Sequence, residues 1–175
     1  AAQTLANAAD VSAYSTLWPF VYSSVGTPGI TPSSTLTYLQ AGVKLTDGAV
    51  PQSGRVAVLD SQAMATLVNA NLTLFNPSAA ISEQYREGMF GRNALGIGEW
   101  FFDQNRPIHT TGTFTASTPV VNGANQTGSS IITSGWASGA TTLKKGAILT
   151  FALTNGVNPE SYTDTGRLQQ FTVTA

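Results

Sequence analysis

The sequence has no cysteine, a single histidine and few charges. Without cysteine, disulfides, thiolate metal sites and cysteine nucleophiles are all excluded. Asp, Glu, Lys and Arg make up only 10% of the 175 residues, against roughly a quarter in an average soluble domain. Much of the surface must therefore be covered by Ser, Thr, Asn, Gln and Gly, and such a surface tolerates close packing against neighbours. The net charge of −1 rests on eight basic residues scattered along the chain. These cannot form the clustered Lys and Arg that phosphate recognition requires, which argues against broad or sequence-specific nucleic-acid binding. The start AAQTLANAAD has neither a basic region nor an apolar stretch, so no secretory signal is read there. Apolar runs such as Leu17-Trp18-Pro19-Phe20-Val21-Tyr22 are too short to span a bilayer, and a soluble chain is expected.

What is present is enough apolar material for a core: 42% of residues are hydrophobic, which excludes a wholly disordered chain. The most legible stretch runs from Arg55 to Asn105. Arg55 to Leu59 has strand length and composition. Asp60 is placed to cap a helix, with Leu59 and Met64 at the positions of a hydrophobic staple. Met64, Leu67, Val68, Leu72 and Phe75 share one helical face, predicted to be core. Asn76-Pro77 ends that helix and begins another, in which Ile81 and Tyr85 stack before Gly88 stops it. Glu99 to Phe102 reads as strand.

Upstream, residues 1 to about 15 read as the end of a helix with Leu5, Ala9 and Ala13 in register. Tyr14 to Val25 predicts at most an edge or broken strand, because of Pro19. Gly26 to Pro32 is a loop. Ser33 or Ser34 caps a short helix whose Leu36, Leu39 and Val43 lie on one face, closed near Asp47-Gly48. Beyond about Thr113, short strand candidates at 118–121, 129–133, 147–153 and 169–174 are separated by turn signals at Asn122-Gly123, Lys145-Gly146, Asn155-Gly156 and Asn158-Pro159. The fold class is α+β, ending in a small all-β module.

Little in the sequence points to catalysis. A hydrolytic triad has only His109 to use, and no Gly-x-Ser-x-Gly elbow accompanies it, so His109 reads as a strand or loop histidine. The nine acids (Asp10, Asp47, Asp60, Glu83, Glu87, Glu99, Asp103, Glu160 and Asp164) show no calcium-loop spacing. Glu83 and Glu87 read as a solvated helix face, and Glu99 and Asp103 flank an aromatic strand; neither pair is a compelling glycosidase couple. Gly88, Gly91, Gly96 and Gly98 lack the strand-then-helix context of a phosphate cradle. Asn71 and Asn125 stand in glycosylation patterns of little weight without a secretion signal. Trp18, Trp100 and Trp136 are candidates for stacking on a sugar, though more often such residues belong to a core or interface. No catalytic residue, cofactor or metal is expected.

The order of several short segments carries a resemblance. Leu5-Ala6-Asn7, Gly54 to Asp60, Tyr85-Arg86-Glu87-Gly88-Met89-Phe90-Gly91, Gly96-Ile97-Gly98-Glu99 and Lys144 to Phe151 follow one another much as in tailed-bacteriophage major capsid (coat) proteins, in particular the branch with an inserted β domain. The resemblance implies the end of a spine helix and a connecting strand at 1–22, a capsomer-centre domain at 23–113 and a β-rich insertion domain at 114–175. It also implies an internal piece of a longer coat protein, since the N-terminal arm, the extended loop and the return into the core are not matched. The expected function is then structural: copies of the chain tile a shell around double-stranded DNA in five- and six-membered rings, with a scaffolding protein and a portal as further partners. The shell would be made in the bacterial host cytoplasm, and the chain would reside in the virion. The loop from Gly26 to Pro32 is the candidate ring contact. Two readings from other classes stay open: a β-rich carbohydrate-binding or adhesion module, and a hydrolase using His109 with an acid such as Asp103.

Overall fold

A computed structural model describes residues 2–71, 88, 94–112, 118–136 and 143–174. Among them the chain is mixed α+β, with three α-helices and three two-stranded sheets. Helix α1 (Ala2–Leu17) buries none of its residues, so its alanine-rich composition, rather than packing, favours the helix. The expected edge strand at Tyr14 to Val25 is not formed. The helix runs on to Leu17 and tightens into a 3-10 turn at Trp18–Phe20, because Pro19 has no N–H to continue the α pattern. Val21 to Ser24 is then held to the C-terminal hairpin by side chains. The Thr172 hydroxyl donates to Val21 O (2.8 Å), and the Gln170 amide both accepts from Ser24 N–H (2.9 Å) and donates to Ser24 O (3.1 Å).

The core lies between α2 (Thr35–Asp47), β1 (Val56–Leu59), α3 (Ser61–Asn71) and β2 (Glu99–Phe102). Strands β1 and β2 are parallel, with Val56 opposite Glu99 and Leu59 opposite Phe102. Flanking bonds lengthen this ladder, from Gly98 N–H to Arg55 O (2.9 Å) and from Asp103 N–H to Leu59 O (2.8 Å). Asp60 caps α3 as its position predicts: Oδ1 accepts the Ala63 N–H at 2.6 Å. Met64, Leu67, Tyr38, Ile97 and Trp100 form the buried cluster, and Leu59 and Val68 pack against it. The remainder of the predicted helical face, Leu72 and Phe75, lies outside the described residues, as do Ile81 and Tyr85.

Helix α2 begins where expected, with Ser34 Oγ accepting the Leu36 N–H at 3.2 Å, and it turns Tyr38 to the core. Leu36, Leu39 and Val43 are exposed at 60%, 42% and 39%, whereas Tyr38 is buried. Tyr38 supplies what that position requires. Its ring meets Trp100 edge-on at 5.9 Å, and its hydroxyl lies 3.3 Å from each of two carbonyl oxygens, Pro32 O and Ala63 O. Burial raises the Tyr38 pKa, partly offset by its hydrogen bond with Thr66.

Past the core, β3 (Val120–Val121) pairs antiparallel with β4 (Thr133–Ser134), and β5 (Ile148–Val157) with β6 (Asp164–Thr172). The Asn155-Gly156 turn expected from sequence lies inside β5, with Asn155 opposite Leu168. The chain reverses at Asn158 to Thr163, at the neighbouring Asn158-Pro159 signal. There Asn158 Oδ1 accepts the N–H groups of Glu160 and Ser161 (2.9 and 3.1 Å), and Asn158 N–H donates to Thr163 O (2.9 Å). An Asx side chain followed by proline closes this turn more readily than Asn-Gly in a paired strand. The register shifts between Thr150 and Asn155, where β5 bulges.

Candidate interaction surface

The residues singled out for chemistry are dispersed. His109 lies against Trp18, with ring centroids 5.0 Å apart, and its Nε2 is buried without a hydrogen-bond partner among the described residues. The Asp103 carboxylate accepts the Asn105 N–H at 2.8 Å, closing a local turn. No group of three or more His, Asp or Glu side chains that could hold a metal occurs among the described residues. Glu83, Glu87 and Gly91 lie outside them. Gly88 and Gly96 adopt left-handed conformations (φ 64° and 75°).

Of the tryptophans, Trp100 is in the core, with its indole N–H on Ala94 O at 3.3 Å. Trp136 donates to the Thr133 hydroxyl at 2.8 Å. The acceptor Asn71 is buried, bonding Leu67 O through Nδ2 (2.7 Å) and the Thr35 hydroxyl through Oδ1 (3.3 Å), so a glycan has no access to it. Asn125 is exposed, in a loop.

The feature the sequence did not disclose is how little apolar surface is covered. A parallel strand pair normally has both faces buried. Here Ala57, Leu59 and Trp100 face the core, while Val56, Val58 and Phe101 remain 46–53% exposed on the other side. Ile30, at the tip of the Gly26 to Pro32 loop, is 67% exposed, and Ile108 is 79% exposed.

Two concavities flank the C-terminal half of α2. One, of about 370 Å³, separates it from the β5–β6 hairpin. Polar links span it: Asp47 pairs with Arg167, Lys44 Nζ donates to Gln170 Oε1 at 3.1 Å, and Asn158 Nδ2 reaches Thr46 O at 3.5 Å. The other is an open groove of about 310 Å³ with Leu39, Val43 and Leu95 along it, Gly42 and Gly96 in its lining, and Arg55 beside them.

Arg55 is 8% exposed and has no carboxylate partner among the described residues. Its guanidinium donates to Pro51 O (2.9 Å), Gly42 O (3.5 Å), Val50 O (2.6 Å) and the Thr46 hydroxyl (3.2 Å). The cation thus gathers carbonyls at the C-terminal end of α2, where the helix dipole favours positive charge. Four of the five guanidinium N–H groups are used among the described residues, leaving one on Nη1. Among the described residues, no helix is long and apolar enough to cross a membrane. The chain matches no protein-family model and no curated protein.

Proposed function

We propose that this chain is a structural subunit of a tailed-bacteriophage capsid, whose work is to cover and be covered by other copies of itself, with no bond made or broken. In this reading residues 1–22 are the end of a spine helix with the segment that leads on from it, 23–113 the capsomer-centre domain and 114–175 an inserted β-rich domain. The chain resides in the virion, and its partners are its own copies in rings together with a scaffolding protein and a portal.

The observation that carries the reading is the uncovered apolar surface, above all the open face of the parallel β1–β2 pair at Val56, Val58 and Phe101. The sparse charge acts in the same direction, since few ions need desolvating when such faces meet. The rival carbohydrate-binding reading has less support, because Trp100, one of its three candidate platforms, is a core residue.

The test is to express the complete reading frame together with its scaffold and examine the product by negative-stain electron microscopy. Closed shells or ring-shaped capsomers are expected. Monomers alone at high concentration with scaffold present would overturn the proposal.

A further inference from the structure

The bulge in β5 does something unusual with Leu153. Between the Thr150–Gln170 and Asn155–Leu168 pairs, β5 has more residues than β6 can match, and Leu153 is pushed out with φ 63° and 98% of its surface exposed. A branched apolar residue in the left-handed region is strained by about 1–2 kcal/mol, and strain of this kind clusters at ligand clamps, active sites and switch regions. Two residues along, Asn155 Nδ2 donates to Asp164 Oδ2 at 2.9 Å, and Gly166 N–H donates to Asp164 Oδ1 at 2.7 Å. The hairpin therefore displays an apolar knob near a fixed carboxylate, and Asp164 has no cation partner among the described residues.

The groove beside α2 has the complementary character. Leu39, Val43 and Leu95 offer apolar contact, and Gly42 and Gly96 leave room for a branched side chain. Arg55 supplies a cation without a carboxylate and with one N–H unused among the described residues. The other charge in the lining, Asp47, is taken by Arg167.

We propose that Leu153 of one copy inserts into the Leu39–Val43–Leu95 groove of a second copy, bringing its Asp164 toward Arg55. This deepens the capsid reading and rests on it, by naming one contact through which copies meet. Knob and groove lie at different places on the same chain, so each copy can offer its knob to one neighbour and its groove to another, head-to-tail. Such a contact propagates into rings or open chains and does not stop at a symmetric dimer.

The test uses two substitutions at exposed positions, Leu153→Asp and Val43→Asp, in the complete reading frame, followed by sedimentation velocity with circular dichroism as the folding control. The wild type should form oligomers that grow with concentration. Each variant alone should associate roughly thirty-fold more weakly, as expected for loss of a central anchor. Mixed together, the variants should associate with each other more tightly than either associates with itself, because the Val43→Asp knob and the Leu153→Asp groove both remain intact. If Val43→Asp fails to fold, Leu39→Asp takes its place.

A monomeric wild type would overturn the capsid reading itself. A wild type that assembles while Leu153→Asp assembles equally well, or variants that stay apart on mixing, would overturn only this contact.

Discussion

Adding one methyl group at Gly146 tests how the C-terminal hairpin is seated on the N-terminal segment. Gly146 is buried at φ 85°, and a Cβ there would overlap the six-membered ring of Trp18. Its backbone has little room to yield, since Gly146 N–H donates to Val173 O at 2.7 Å and Val173 N–H to Ala147 O at 2.9 Å. Trp18 is confined as well, with His109 against its ring. Gly146→Ala should therefore cost about 1–2 kcal/mol for the left-handed backbone and about 1–3 kcal/mol for overpacking, some 2–5 kcal/mol in all.

Urea unfolding followed by circular dichroism measures the total, and Trp18→Ala separates its parts. In the Trp18→Ala background the clash is gone, and Gly146→Ala should cost only the backbone share. A cost below about 0.5 kcal/mol in the wild-type background, the usual range for inconsequential surface changes, would refute the seating. An equal cost in both backgrounds would show that the ring contributes nothing.

Asp60→Ala removes the α3 cap and the partner of Arg106. It should destabilise the protein by about 1 kcal/mol, nearly all from the cap because Arg106 is largely exposed, as a shifted urea midpoint with unchanged slope would show. Asp164 has its pKa lowered by hydrogen bonds from Asn155 and from the Gly166 N–H. Its contribution is thus present above the ordinary carboxylate range near pH 4 and is lost as pH falls through the lowered value. The Gly166 amide resonance should move with that titration, and Asp164→Asn should abolish the movement.

Where local chemistry decides, the structure was legible in the sequence. The strand at Val56 to Leu59, the Asp60 cap, the Met64–Leu67–Val68 face and the returning strand at Glu99 each follow from residues within a few positions of one another. All four strand candidates of the C-terminal module overlap a strand, though with shifted ends. For α2, periodicity shows which side chains share a face and not whether anything packs against it. Leu36, Leu39 and Val43 do share one, yet Tyr38 on another side reaches the core.

Of the two neighbouring turn signals, Asn158-Pro159 marks the reversal and Asn155-Gly156 does not. A favourable dipeptide was outweighed by the Asn158 cap three residues later. Neither the groove nor its buried Arg55 was foreseen; the only signal was a lone cation leading an apolar strand. The exposure of Leu153 depends on a register shift that no local pattern encodes.

The claim that other copies cover this apolar surface is tested most directly by hydroxyl-radical footprinting, read by mass spectrometry, of free subunits and assembled particles from the same preparation. Oxidation of Phe101, Ile30 and Leu153, which are 46%, 67% and 98% exposed in the single chain, should fall several-fold on assembly while that of the buried Met64 stays low throughout. Equal oxidation of those three side chains in the free and assembled states would contradict it.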